Sequence, residues 1–130
     1  MPTMHRSMPV IEVADVERSA AFYRDKLGFE PGSFYGDPPA FCIVTLDTVT
    51  LALDRSREPD RNPHNQYWAA YVYVEDVDGL RDEYAEREVE IVRGPEDMPH
   101  GCRELDVRDP DGHIICFGQD LYPTEAGPGL

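Results

Sequence analysis

The chain has 130 residues, 41% hydrophobic and 29% charged, which fits one globular domain able to bury a core without disulfide staples. Its formal net charge of −14 repels phosphate backbones and anionic lipid, so nucleic acid and membrane surfaces are poor partners. Such a charge either keeps a protein soluble or draws in a cationic ligand, and composition by itself favours solubility.

An internal repeat organises the sequence. Val13, Asp15, Val16, Glu17 and Tyr23 are echoed 61 residues later by Val74, Asp76, Val77, Asp78 and Tyr84. In each copy a strand ends in valine, and an aspartate is placed to cap the helix that follows by accepting its orphan N–H groups. The first unit is predicted to open with a strand over Met8 to Val13 and a helix from Val16 to Leu27, which Gly28 ends. Strands are then expected over Phe29 to Phe34, Phe41 to Leu46 and Val49 to Asp54, with Asp47-Thr48 as the hairpin turn between the last two. Arg55 to Gln66 is polar and holds two prolines, which reads as a linker. The second unit runs from Tyr67 to Gly118. Its first strand ends at Val74, its helix covers Val77 to Glu88, and strands follow at Val89 to Arg93, Cys102 to Arg108 and His113 to Gly118. Asp109-Pro-Asp-Gly112 is a strong turn signal. The expected organisation is therefore α+β: a single domain over residues 1–120 made of two βαβββ units, 8–54 and 67–118, with a Pro- and Gly-rich tail over 121–130 that should fray.

Strand alternation divides the residues into two faces. Ile11, Val13, Val49, Leu51, Leu53, Trp68, Ala70, Val72, Val74, Leu105, Val107, Ile115 and Phe117 form the set predicted to pack on the helices. The opposite face then collects Glu12, Asp54, Tyr71, Tyr73, Glu104, Asp106 and Cys116. Acids scattered on a solvent-facing sheet are routine. Tyrosines beside a shielded glutamate would in addition suit a planar, cationic ligand through stacking, cation–π contact and charge pairing.

Cys42, Cys102 and Cys116 are odd in number and have no paired spacing, which argues for a reducing compartment. Residues 1–9 carry no apolar signal core, and no run is long enough to cross a bilayer. The cytoplasm is the expected location. His5, His64, His100 and His113 fall in the N-terminal tail, the linker, a loop and a turn, and no pair has helical metal spacing. Cys116 is either a thiol facing a cavity or a buried, inert one, and the second reading is favoured because no neighbour in sequence obviously lowers its pKa.

Met8-Pro-Val-Ile-Glu-Val-Ala-Asp-Val-Glu-Arg-Ser-Ala-Ala-Phe-Tyr23, Leu27-Gly-Phe29 and Asp109-Pro-Asp-Gly112 together resemble the vicinal oxygen chelate superfamily, which includes glyoxalase I, extradiol dioxygenases and the bleomycin resistance proteins. The resemblance implies the glyoxalase/bleomycin resistance fold, in which paired βαβββ units shape a concave mixed sheet. In the enzymes of the superfamily, His and Glu on that face hold a divalent metal. The corresponding positions are Met8, Ala52, Ala69 and Cys116, none of which supplies the N or O ligands such an ion wants. The resemblance therefore implies no metal, no cofactor and no catalytic residue here. The metal-free bleomycin resistance proteins are the most similar subgroup. Tyr71-Val-Tyr-Val74 resembles their aromatic strand, and Pro99-His-Gly-Cys-Arg-Glu104 resembles their Pro-Trp-Gly-x-Arg-Glu segment, with His100 in place of a ring-stacking tryptophan.

The leading expectation is a non-catalytic protein, homodimeric as family members of this size are, that sequesters a cationic or aromatic small molecule. Tyr71, Tyr73 and His100 would stack, Glu12, Glu104 and Asp54 would pair with positive charge, and Cys116 would lie in the same cleft. The alternative is a diverged metal-dependent lyase or dioxygenase, and a stand-alone sensor domain is a third reading.

Overall fold

The computed structural model describes residues 1–63 and 66–122, so His64 and most of the expected tail lie outside the described residues. The first unit contains β1 (Val10–Val13), α1 (Val16–Asp25), β2 (Glu30–Tyr35), β3 (Phe41–Leu46) and β4 (Val49–Arg55). The second contains β5 (Trp68–Tyr73), α2 (Val77–Glu86), β6 (Ile91–Asp97), β7 (Cys102–Arg108) and β8 (Ile114–Asp120). Each unit closes its own four-stranded mixed sheet, in the orders β1-β4-β3-β2 and β5-β8-β7-β6. The linker holds a short 3-10 turn over Pro59–Arg61.

The repeat signals form as the sequence predicts. Asp15 accepts from the Arg18 N–H and Asp76 from the Gly79 N–H, so both aspartates cap their helices. Gly28, at φ +89°, ends α1 in the left-handed region, and the Phe29 N–H returns to the Tyr23 carbonyl at 2.8 Å. In α2 the residue of positive φ is Glu88, and both helices end two residues before their predicted limits, α1 at Asp25 and α2 at Glu86.

The units join on their helix-bearing sides. Ile11, Val13, Leu51 and Leu53 of the first sheet share one buried cluster with Val72, Leu105, Ile115 and Phe117 of the second. The repeat-related tyrosines each reach across the junction: the Tyr23 hydroxyl donates to Asp109 Oδ2 at 3.0 Å, and the Tyr84 hydroxyl to the Leu27 carbonyl at 3.2 Å. Asp111 in the predicted turn is a further clamp. Its Oδ1 accepts from the Ala14 N–H at 2.8 Å and from Asn62 Nδ2 at 3.1 Å, and its Oδ2 lies 3.4 Å from both Arg18 Nη2 and Ser19 Oγ.

One predicted core residue is misplaced. Trp68 is 43% exposed because the β5–β8 register slips between Trp68 and Ala70. That bulge inserts a residue, turns the indole to the face away from the helices, and leaves Ala69 packed against the core.

Candidate functional site

The second sheet's outer face is built around β7. Leu105 and Val107 point into the core, so Glu104 and Asp106 point away from it. Across β8 they meet Gly118 and Cys116 in register, and across β6 Arg93 pairs with Asp106. The β6–β7 ladder slips on both sides of Arg93. At Gly94, φ +89°, the chain passes so close to the Glu104 carbonyl that any Cβ would collide with it. These irregularities aim the Arg93 guanidinium at both acids. Its Nε donates to Asp106 Oδ2 at 2.9 Å, and its Nη2 to Glu104 Oε1 at 2.8 Å and to Asp106 Oδ1 at 3.3 Å.

The remaining carboxylate oxygens are occupied as well. Glu104 Oε2 accepts from the Tyr71 hydroxyl at 2.8 Å and lies 2.7 Å from His100 Nε2. Asp106 Oδ1 accepts from Trp68 Nε1 at 3.1 Å. Gly118 makes the Tyr71 bond possible, since a Cβ there would strike the phenol ring. Burial alone would raise the Glu104 carboxyl, but hydrogen bonds from Arg93, Tyr71 and His100 outweigh it and hold that group below the usual glutamate range. Burial, with its bonds to Cys102 and Glu104, pushes the Tyr71 phenol far up, so it stays a donor. Glu104 and Asp106 are thus anions embedded in a closed network, with side chains 0% and 10% exposed.

Above this floor lies a hollow of about 730 Å³, lined by Trp68, Val92, Arg93, Met98, His100 and Arg108 among others. That size suits a drug-like molecule. Two guanidinium donors reach its surface, with the Arg93 and Arg108 side chains 27% and 40% exposed, beside the His100 imidazole at 46% and the Gln66 and Tyr67 side chains.

Of the predicted site residues, the structure brings together Glu104, His100 and Tyr71. Glu104 is enclosed by Arg93, so it does not stand free to pair with a cationic ligand. Tyr71 contributes its hydroxyl to the floor, and its ring packs between Trp68 and Tyr73, 5.0 Å from each. Tyr73 is 52% exposed and lines a separate depression with Phe29, Leu46 and Leu80. Cys116 lies on the correct face, but it is wholly buried and its thiol is pushed up by burial and by Asp106. Glu12 and Asp54 face each other in register on the first sheet, outside the hollow. They stay apart from Glu104 because each unit hydrogen-bonds its own sheet, and the units meet through their helical sides. Sequence reasoning missed Arg93, Trp68 and Arg108. The tryptophan's presence in the chain was the one available signal.

The positions at which the resemblance implies metal ligands do not fit a metal. Met8 offers a thioether beside Thr50, Ala52 is buried, Ala69 packs on the core, and Cys116 is enclosed. Among the described residues no group of three or more His, Cys, Asp or Glu side chains is arranged to hold an ion. No described helix is long and apolar enough to cross a membrane.

Two repeated βαβββ units with an open, concave outer sheet face define the class: an α+β fold with room for a small molecule on the sheet. The chain belongs to the Glyoxalase/Bleomycin resistance protein/Dioxygenase superfamily, whose family model matches residues 7–117. The bleomycin-binding protein of bleomycin-producing Streptomyces verticillus, solved with copper(II)-bleomycin, is 27% identical with a TM-score of 0.73, covering 90% of this chain and 97% of that one. TnmS3, an antibiotic binding protein from Streptomyces sp. CB03234, is 24% identical with a TM-score of 0.71, covering 92% and 98%. Lactoylglutathione lyase from Agrobacterium tumefaciens is 21% identical with a TM-score of 0.71, covering 92% and 96%. The last two show the shared fold alone. No curated protein matches the chain in sequence.

Proposed function

We propose that this protein binds and sequesters an aromatic small molecule in the hollow over β7, without chemistry, as a cytoplasmic homodimer. The observation that carries the reading is the closed Arg93–Glu104–Asp106 network beneath an exposed indole. The network leaves no free carboxylate to act as a base on a guest, while the indole offers a broad flat surface to one. The similarity to a protein solved with bleomycin supports a drug-like guest. The donor set at the superfamily's metal positions gives no support to a metal-dependent lyase or dioxygenase. Dimerisation is supported by the apolar surface left open on both units at Val10, Phe34, Tyr35 and Tyr73.

Calorimetric titration with copper-bleomycin and a panel of cationic, neutral and anionic flat aromatics tests the reading, and saturable binding of at least one compound is expected. Absence of binding by every compound at millimolar concentration removes it. Sedimentation velocity tests the dimer: a species of twice the 14.7 kDa chain mass is expected, and a monomer at all concentrations refutes it.

A further inference from the structure

Trp68, Ile114 and Arg108 form one cross-strand row. Ile114 pairs with Trp68 on β5 and with Arg108 on β7, and all three line the hollow. Adjacent strands lie about 4.8 Å apart, so the tryptophan and arginine stand about 10 Å apart with the apolar Ile114 between them. The two ends of the row differ in chemistry. The indole is fixed by its N–H bond to Asp106 and keeps an exposed ring. Arg108 uses its Nε on Glu90, and its two Nη groups have no protein partner among the described residues. The nearby carboxylates are all engaged: Glu90 by Arg108, Glu104 by Arg93, Tyr71 and His100, Asp106 by Arg93 and Trp68, and Glu96 lies 3.7 Å from Arg93.

We propose that this row is the recognition element of the hollow: a flat aromatic ring stacks on Trp68, and a carbonyl or carboxylate attached to it accepts hydrogen bonds from Arg108. The inference rests on the binding role proposed above and names the chemical class that role serves. At this row the expectation of a cationic ligand is reversed, because an ammonium group stacked over Trp68 would meet the Arg108 guanidinium where it needs an acceptor. The chain's overall negative charge does not decide the matter at this range, since exposed charges beyond about 8 Å are screened at physiological ionic strength. His100, standing where the resembling proteins carry tryptophan, is then not the stacking residue. The bulge in β5 supplies an indole from a different strand.

The chain has a single tryptophan, so its fluorescence reports directly on the row. Three probes of one ring size separate the chemistry: 2-naphthamide, 2-naphthoate and 2-naphthylmethylammonium. Saturable quenching of Trp68 is expected, with the amide and carboxylate binding about fivefold or more tighter than the ammonium. By calorimetry, Trp68→Ala should weaken all three about tenfold, through loss of stacking. Arg108→Gln, at an exposed side chain, should weaken the amide and carboxylate and leave the ammonium unchanged. Ammonium binding equal to or tighter than the others overturns the proposal, as does an Arg108→Gln profile identical to the parent. Failure of all three probes also overturns it, while the broader titration panel decides separately whether the hollow binds anything.

Discussion

Replacing Arg93 by Met removes the guanidinium but keeps most of the aliphatic volume, so the change isolates charge from packing. Two carboxylates lose their cation. Glu104 is left fully buried with bonds from Tyr71 and His100, and Asp106 keeps the Trp68 indole and the weak Cys116 thiol on its side chain. Removing one partner of a buried ion pair costs about 3–5 kcal/mol, and because Arg93 itself is 27% exposed the lower end applies, about 3 kcal/mol. For a chain of this length, at about 4 °C per kcal/mol, Tm should fall by about 12 °C. With a urea m-value of about 1.5 kcal/mol/M, the midpoint should shift by about 2 M. The loss should depend on pH. In the parent, the lowered Glu104 carboxyl contributes stability that is present above the ordinary glutamate value of about 4.3 and is lost as pH falls through its lower folded value. In Arg93→Met, burial dominates and raises that carboxyl, so the variant's stability is present at low pH and lost as pH rises through the raised value. The gap between the two proteins should therefore widen as pH rises above the ordinary glutamate value of about 4.3. Urea melts of both proteins at pH 4, 5.5 and 7 measure it. A cost below about 1 kcal/mol at pH 7, or a gap independent of pH, refutes the assignment of Arg93 as the neutralising centre of the floor.

Gly118→Ala drives a methyl into the Tyr71 ring, so it should cost about 1–3 kcal/mol and break the Tyr71–Glu104 bond, read as a lowered midpoint in urea. Asp111→Ala removes the acceptor shared by Ala14, Asn62, Arg18 and Ser19, and should cost about 2 kcal/mol by thermal melt, with a change under about 0.5 kcal/mol refuting the clamp. Burial raises the Asp109 carboxyl, so its contribution is fully present below the ordinary aspartate value and is lost as pH rises through the raised one. Asp109→Asn abolishes that titration. Its stability relative to the parent should climb as pH rises above the ordinary aspartate value of about 4, whereas parallel stability–pH profiles would contradict the shift.

The sequence by itself determined the scaffold. The 61-residue repeat, the capping aspartates Asp15 and Asp76, the Asp47-Thr48 and Asp109–Gly112 turns and the alternating apolar positions are local signals, and each formed where it was expected except at Trp68. Alternation also placed Glu104 and Asp106 on the outer face, because side-chain period along an unbroken strand is fixed by backbone geometry. Tertiary structure decided the site. A bulge of one residue turned Trp68 from core to hollow, and two slips beside Arg93 aimed it at both acids, neither of which the hydrophobic pattern encodes. Whether a carboxylate is free or neutralised depends on which side chain lies across the sheet, not on its neighbours in sequence. That is why the sequence placed Glu104 on the outer face but did not pair it with Arg93. Glu12 and Asp54 share the pattern of Glu104 but belong to a separately hydrogen-bonded sheet, and the packing of the two units keeps them out of the hollow.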